Sequence, residues 1–151
     1  MNALALALHL LAAIVWVGGM FFAHQALRPA ALKLDPPLRL PLWRDTFARF
    51  FPWVWGAIVL LPLSGYWMLF KLYGGFATAG VHIHVMQLLG LVMIGIFLFV
   101  YFVPYRGLRS CVETKDFAAA ANHLARIRKL VGVNIVLGLV TAATAGGGRL
   151  L

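Results

Sequence analysis

The residues best suited to chemistry are histidines, and one of the five lies inside an uncharged apolar stretch. His9 falls within residues 1–27, which carry no formal charge. Because an ionisable side chain is costly in hydrocarbon, a histidine in a membrane helix is a candidate functional residue by default. An imidazole in that position can ligate a haem iron or a copper ion. The first question is therefore whether such a helix exists.

Composition predicts an integral membrane protein. The chain has 151 residues, of which 63% are hydrophobic and 11% are charged, too few charges to cover the surface of a soluble domain. Four charge-free runs reach the ~20 residues that a spanning helix needs: residues 1–27, 50–70, 72–105 and 130–148. We predict an all-α, integral membrane four-helix bundle forming one domain over residues 1–151, with helices at about 2–28, 49–70, 81–106 and 117–146.

The net charge of +9 is concentrated at one side of this predicted bundle. Eleven of the thirteen Lys and Arg residues lie around the junctions of helices 1 with 2 and 3 with 4, and Lys71 and Arg149 are the exceptions. This asymmetry predicts periplasmic termini and cytoplasmic basic segments in a bacterial inner membrane. It favours anionic lipid head groups over nucleic acid as partners. The single cysteine, Cys111, excludes a disulfide framework.

The predicted topology brings histidines from two helices to the outer half of the membrane. His9 lies roughly two turns below the outer end of helix 1, and His82 and His84 lie within about one turn of the outer end of helix 3. His82 and His84 diverge by about 200° around the helix axis, and His84 is the deeper. We predict a b-type haem held by His9 and His84 in a slot of small and aromatic residues: Trp16, Gly19 and Tyr66.

Other interpretations of these histidines stay open. Copper could take the place of haem, with Met86 joining His9 and His84, because thioethers and imidazoles both ligate copper. Neither a Met-x-x-Met nor a Cys-x-x-Cys cluster is present. His9 could instead form a hydrogen bond to a neighbouring helix, and His82 could be an interfacial histidine in water.

A second histidine pair stands near the predicted cytoplasmic side. His24 and His123 lie at the ends of helices 1 and 4, where a second haem or a metal could sit if they face one another; the alternative is two separate interfacial histidines. The four acidic residues all fall in predicted cytoplasmic segments. The sequence therefore offers no proton-relay carboxylate and no paired acids for hydrolysis.

Three apolar motifs carry a family resemblance. His9 stands seven residues before the W-x-x-G of Trp16 to Gly19, and Arg49-Phe50 is followed fifteen residues later by Ser64-Gly65. A third motif runs from Arg126 to Gly138 and includes Asn134. The chain resembles the copper-resistance D (CopD-like) membrane proteins, whose last helix usually has an acidic residue in place of Asn134. The first motif also resembles the HemJ-type protoporphyrinogen oxidases.

The resemblance implies a four-helix membrane bundle with one of two roles. The HemJ side implies b-haem ligation by His9, with His84, Met86 or Gln87 replacing the lysine that those proteins use in helix 3. We therefore expect a haem b-binding redox protein that transfers electrons, or a membrane oxidoreductase for a quinol or porphyrinogen. The CopD side implies the alternative, a copper-binding or copper-transport protein. A redox partner protein and a homo-oligomer are further expectations.

Overall fold

The computed structural model describes residues 1–147 and contains four long helices with no strand in that range. They are α1 (Asn2–Ala31), α2 (Pro36–Leu72), α3 (Val81–Glu113) and α4 (Phe117–Gly147), and each is long and apolar enough to cross a membrane. The protein is thus an all-helical, multi-pass membrane protein. Two residues used in the sequence analysis lie outside the described residues. They are Gly148, the last residue of the fourth charge-free run, and Arg149, one of the thirteen basic residues.

Helix α1 continues past Pro29, where the sequence predicts that it stops. Two π-helical segments interrupt it, Ile14–Gly18 and Ala23–Leu27, and the second directly precedes the short α-helical segment Arg28–Ala31 that contains Pro29. A proline clashes with the carbonyl four residues earlier in a regular α-helix. We attribute the continuation to the wider π turn, which moves that carbonyl away from the ring.

The basic segments are largely helical, whereas the sequence predicts helices only at about 49–70 and 81–106 in this part of the chain. Helix α2 begins at Pro36 because Asp35 is extended and Pro36 is preset for the first helical position. Helix α3 changes direction at Val103 and continues as Pro104–Glu113. With 37 residues, α2 is about 55 Å long, whereas the hydrocarbon core is about 30 Å thick. Hydropathy detected the membrane-crossing part of each helix and missed the charged extension.

Short links join the four helices and fix their antiparallel order. The α2–α3 link contains Gly74 and Gly75 with φ of 72° and 118°, which glycine adopts without strain. The α3–α4 link turns at Lys115, with φ of 58°. Links this short place consecutive helices side by side. We call the end with Asn2, Leu72, Val81 and Gly147 the terminal end, and the end with Ala31, Pro36, Glu113 and Phe117 the basic end.

The tightest packing lies toward the basic end. Helix α1 packs along α2, and α3 packs along α4. Fully buried side chains include Leu40 on α2, Leu108 on α3 and Ile127 on α4. Edge-to-face aromatic pairs join α2 to α3, among them Phe51 with Phe97 at 5.4 Å and with Tyr105 at 4.8 Å between ring centroids. Exposed leucines and valines cover the outside of the crossing segments, as a lipid-facing surface requires.

Candidate functional site

His9 contacts helix α2 through a hydrogen bond. Its Nδ1 atom lies 2.9 Å from the Oγ atom of Ser64, and Ser64 is buried. Gly65 makes this approach feasible, because a Cβ atom there would lie only 3.3 Å from Cε1 of His9. The sequence-based alternative of a hydrogen bond from His9 to a neighbouring helix is what the structure contains.

The Ser64 hydroxyl favours one tautomer of His9. The Oγ atom of Ser64 lies 2.5 Å from the carbonyl oxygen of Leu60, in the back-bonding geometry common for serine in helices. Because a hydroxyl has only one hydrogen to donate, we infer that the Ser64 oxygen accepts from Nδ1–H of His9. The neutral ring then has a free lone pair on Nε2. His9 is thus arranged like a metal-ligating histidine whose orientation is fixed by a second residue.

The histidines of α3 occupy different environments. His84 is exposed and lies against the ring of Phe76, with centroids 6.5 Å apart. His82 and Met86 are half-buried and share one face of the helix because they are four residues apart. The structure gives no contact between the imidazoles of His9 and His84 within residues 1–147. Haem ligation by that pair stays a prediction, and His82 and Met86 form the more buried face.

The residues predicted to line a haem slot have other neighbours. Trp16 is buried edge-on against Phe97, with centroids 6.3 Å apart. The ring of Phe50 occupies the space beside Gly19 where a Cβ atom would be. The hydroxyl of Tyr66 accepts a hydrogen bond from Nε2 of Gln87 at 2.8 Å. These contacts hold α1 and α2 against each other and against α3, so all three residues have packing roles.

His24 and His123 contact different helices. Nε2 of His24 lies 3.6 Å from the Cβ position of Gly132 on α4, and the ring of His123 fills the space beside Gly107 on α3. Gly132 is nine residues along α4 from His123, which corresponds to about 13 Å of helix rise. The structure therefore gives each histidine its own packing site, and a shared metal or haem between them stays a prediction.

Sequence reasoning missed two polar contacts between helices. The amide nitrogen of Asn134 donates to the carbonyl oxygen of Met93 at 3.1 Å, and Asn134 is buried. Gln87 and Tyr66 form the other. An isolated Asn or Gln in an apolar run signals such a bond, but it does not reveal the partner, which depends on how two helices are aligned.

The described residues contain no cluster of three or more His, Cys, Asp or Glu side chains that could hold a metal ion. Metal binding at His9 stays a prediction.

A family model for copper resistance protein D (CopD) matches residues 44–147. The match covers most of α2 and all of α3 and α4, more than half of the chain, and it does not include α1 with His9. No match supports the relationship to HemJ-type oxidases. Comparisons with curated proteins and with solved structures give no match. The chain belongs to the copper resistance protein D family.

Proposed function

We propose that this protein binds copper ions transiently or transports them across a bacterial inner membrane. His9 is the copper-binding side chain in this proposal. This is the alternative that the sequence predicted beside haem. The observation that carries it is the chain of hydrogen bonds from His9 through Ser64 to Leu60, which leaves Nε2 free to bind a metal. Membership of the copper resistance protein D family supports copper as that metal.

Helix α3 supplies the other ligand candidates in this proposal. Met86 offers a soft thioether and His82 an imidazole on the same half-buried face, and both groups bind copper. The exposed His84 has no part in the proposed path. A transported ion must bind well enough to enter and weakly enough to leave, and a site with one fixed imidazole meets that requirement.

Nothing in the family match supports the haem-based redox function or an oxidoreductase activity. The proposal also differs from them chemically, because it requires no quinol, porphyrin or redox partner protein. We expect a lipid bilayer around the chain, and a homo-oligomer stays a prediction.

The experiment measures the copper content of bacterial cells that express the chain, by elemental analysis, during growth with added copper. His9→Asn is the informative variant because the asparagine amide can still donate to Ser64, while the Nε2 lone pair is lost. We expect expression of the unsubstituted chain to change cell copper relative to an empty vector, and His9→Asn to abolish that change.

His84→Ala is the matched control, since it removes an exposed imidazole and is expected to leave the copper change intact. Membrane levels of the three proteins are equalised by immunoblotting. Equal copper content in cells with His9→Asn and in cells with the unsubstituted chain would contradict the role of His9. No change with the unsubstituted chain would contradict the copper function itself.

A further inference from the structure

A cavity at the basic end is bounded by arginines from three helices. Arg28 comes from α1, Arg39 from α2 and Arg128 from α4, and the cavity measures about 190 Å³. Its remaining wall is apolar, formed by Leu32, Leu40, Trp43, Ala121 and Leu124. Arg128 lies 89 residues after Arg39 in the sequence, and the fold brings it to the same cavity as Arg28 and Arg39.

These guanidinium groups have no acidic partner in residues 1–147. The ion pair found there joins Arg44 to Asp45, which leaves Arg28, Arg39 and Arg128 without a carboxylate. The Nε atoms of Arg28 and Arg128 are buried and make no hydrogen bond. A buried donor on a charged group is costly when unpaired, and three like charges around one cavity repel each other. An anion in the cavity would relieve both costs.

We propose that the cavity binds a phosphate group through Arg28, Arg39 and Arg128. Guanidinium groups present a planar fork of donors that matches phosphate oxygens. The cavity volume of about 190 Å³ leaves room for a tetrahedral phosphate group. The apolar wall with Trp43 also accommodates the carbon atoms next to a phosphodiester. A phospholipid head group and free inorganic phosphate share this chemistry, and the site does not depend on copper.

The test titrates the purified full-length protein in detergent with two probes. One is inorganic phosphate and the other is soluble dihexanoyl phosphatidylglycerol, each at constant ionic strength maintained with chloride. Thermal stabilisation gives the binding curve. We expect saturable stabilisation by at least one probe. Saturation with phosphate identifies free phosphate as sufficient, and saturation with the lipid alone identifies the head group as the ligand.

The variants separate this cavity from general attraction to a basic surface. Arg128→Gln and Arg28→Gln should each weaken binding roughly tenfold to hundredfold, since each removes charged hydrogen bonds. Lys129→Gln is the matched control, because it removes the same charge from an exposed neighbouring position, and it should change binding less than about twofold. Arg128→Lys keeps the charge but loses the fork and should also weaken binding.

The ligand-free variants provide a second readout. Without ligand, Arg128→Gln should be at least as stable as the unsubstituted protein, because it relieves repulsion among the arginines. The proposal is overturned if neither probe gives saturable stabilisation, or if Lys129→Gln weakens binding as much as Arg128→Gln does. A ligand-free Arg128→Gln protein that is clearly less stable would also contradict it, since the arginine would then have an internal partner.

Discussion

At the scale of single residues, His9 is held against α2 by its hydrogen bond with Ser64. The sequence identifies His9, because a histidine in an apolar run stands out, and it offers a hydrogen bond to a neighbouring helix as one interpretation. It does not identify Ser64 as the partner, because the alignment of α1 with α2 is set by packing. The sequence also favours His84 as a ligand because it lies deeper in the predicted helix than His82. In the structure His84 is exposed, whereas His82 and Met86 are half-buried.

Ser64→Ala tests whether the hydroxyl orients the imidazole. Loss of an orienting partner typically lowers metal affinity tenfold to hundredfold, so we expect the concentration of copper for half-maximal transport to rise about tenfold. Thr141→Ala is the control, since Thr141 makes the same type of bond to its own helix, to Leu137, and none to a histidine. Equal effects of the two substitutions would mean that Ser64 acts only within its helix.

Asn134→Ala tests the polar contact between α4 and α3. Removing the bond to Met93 should lower the free energy of unfolding by about 1 kcal/mol, within the range measured for such bonds in membrane proteins. The measurement is unfolding in mixed micelles. Asn122→Ala, at an exposed position on the same helix, should have little effect. An unchanged stability of Asn134→Ala would show that the bond contributes nothing net.

At the scale of elements, the sequence predicts how many helices there are better than where they end. Each charge-free run corresponds to one observed helix, and residue 117 is both the predicted and the observed start of α4. The predicted end of α1, start of α2 and end of α3 were wrong. Charged residues indicate where a helix is expected to extend beyond the hydrocarbon, but they do not end the helix. The helical conformation is interrupted instead at residues such as Asp35, which is extended, and Lys115, which has a positive φ.

Gly138→Ala tests the closest crossing of α4 with its neighbours. A Cβ atom at Gly138 would lie 2.7 Å from Cγ2 of Val17 and 3.2 Å from Cε of Met93. The valine is β-branched and cannot rotate freely, so we expect a loss of about 1–3 kcal/mol in unfolding free energy. Gly90→Ala, with no atom within 4 Å of its Cβ position, should be neutral or stabilising. Similar unfolding free energies for Gly138→Ala and Gly90→Ala would refute tight packing at Gly138.

At the scale of the whole molecule, the charge distribution predicts an orientation with the basic end in the cytoplasm. Cys111 lies at the basic end and is the only cysteine in the chain, so it reports which side that end faces. We expect a membrane-impermeant maleimide to label Cys111 in inverted vesicles and not in right-side-out vesicles. Labelling after detergent solubilisation controls for its half-buried position. The reverse pattern would place the basic end outside.

In the proposed function, copper passes the Nε2 atom of His9. The most direct test is the initial rate of Cu(I) uptake into proteoliposomes containing the purified protein, compared between the unsubstituted chain and His9→Asn. We predict uptake that saturates with copper and a loss of at least about tenfold in His9→Asn, as expected when a ligand is removed. Equal rates in the two preparations would contradict the role of His9, and no uptake above empty liposomes would contradict copper transport.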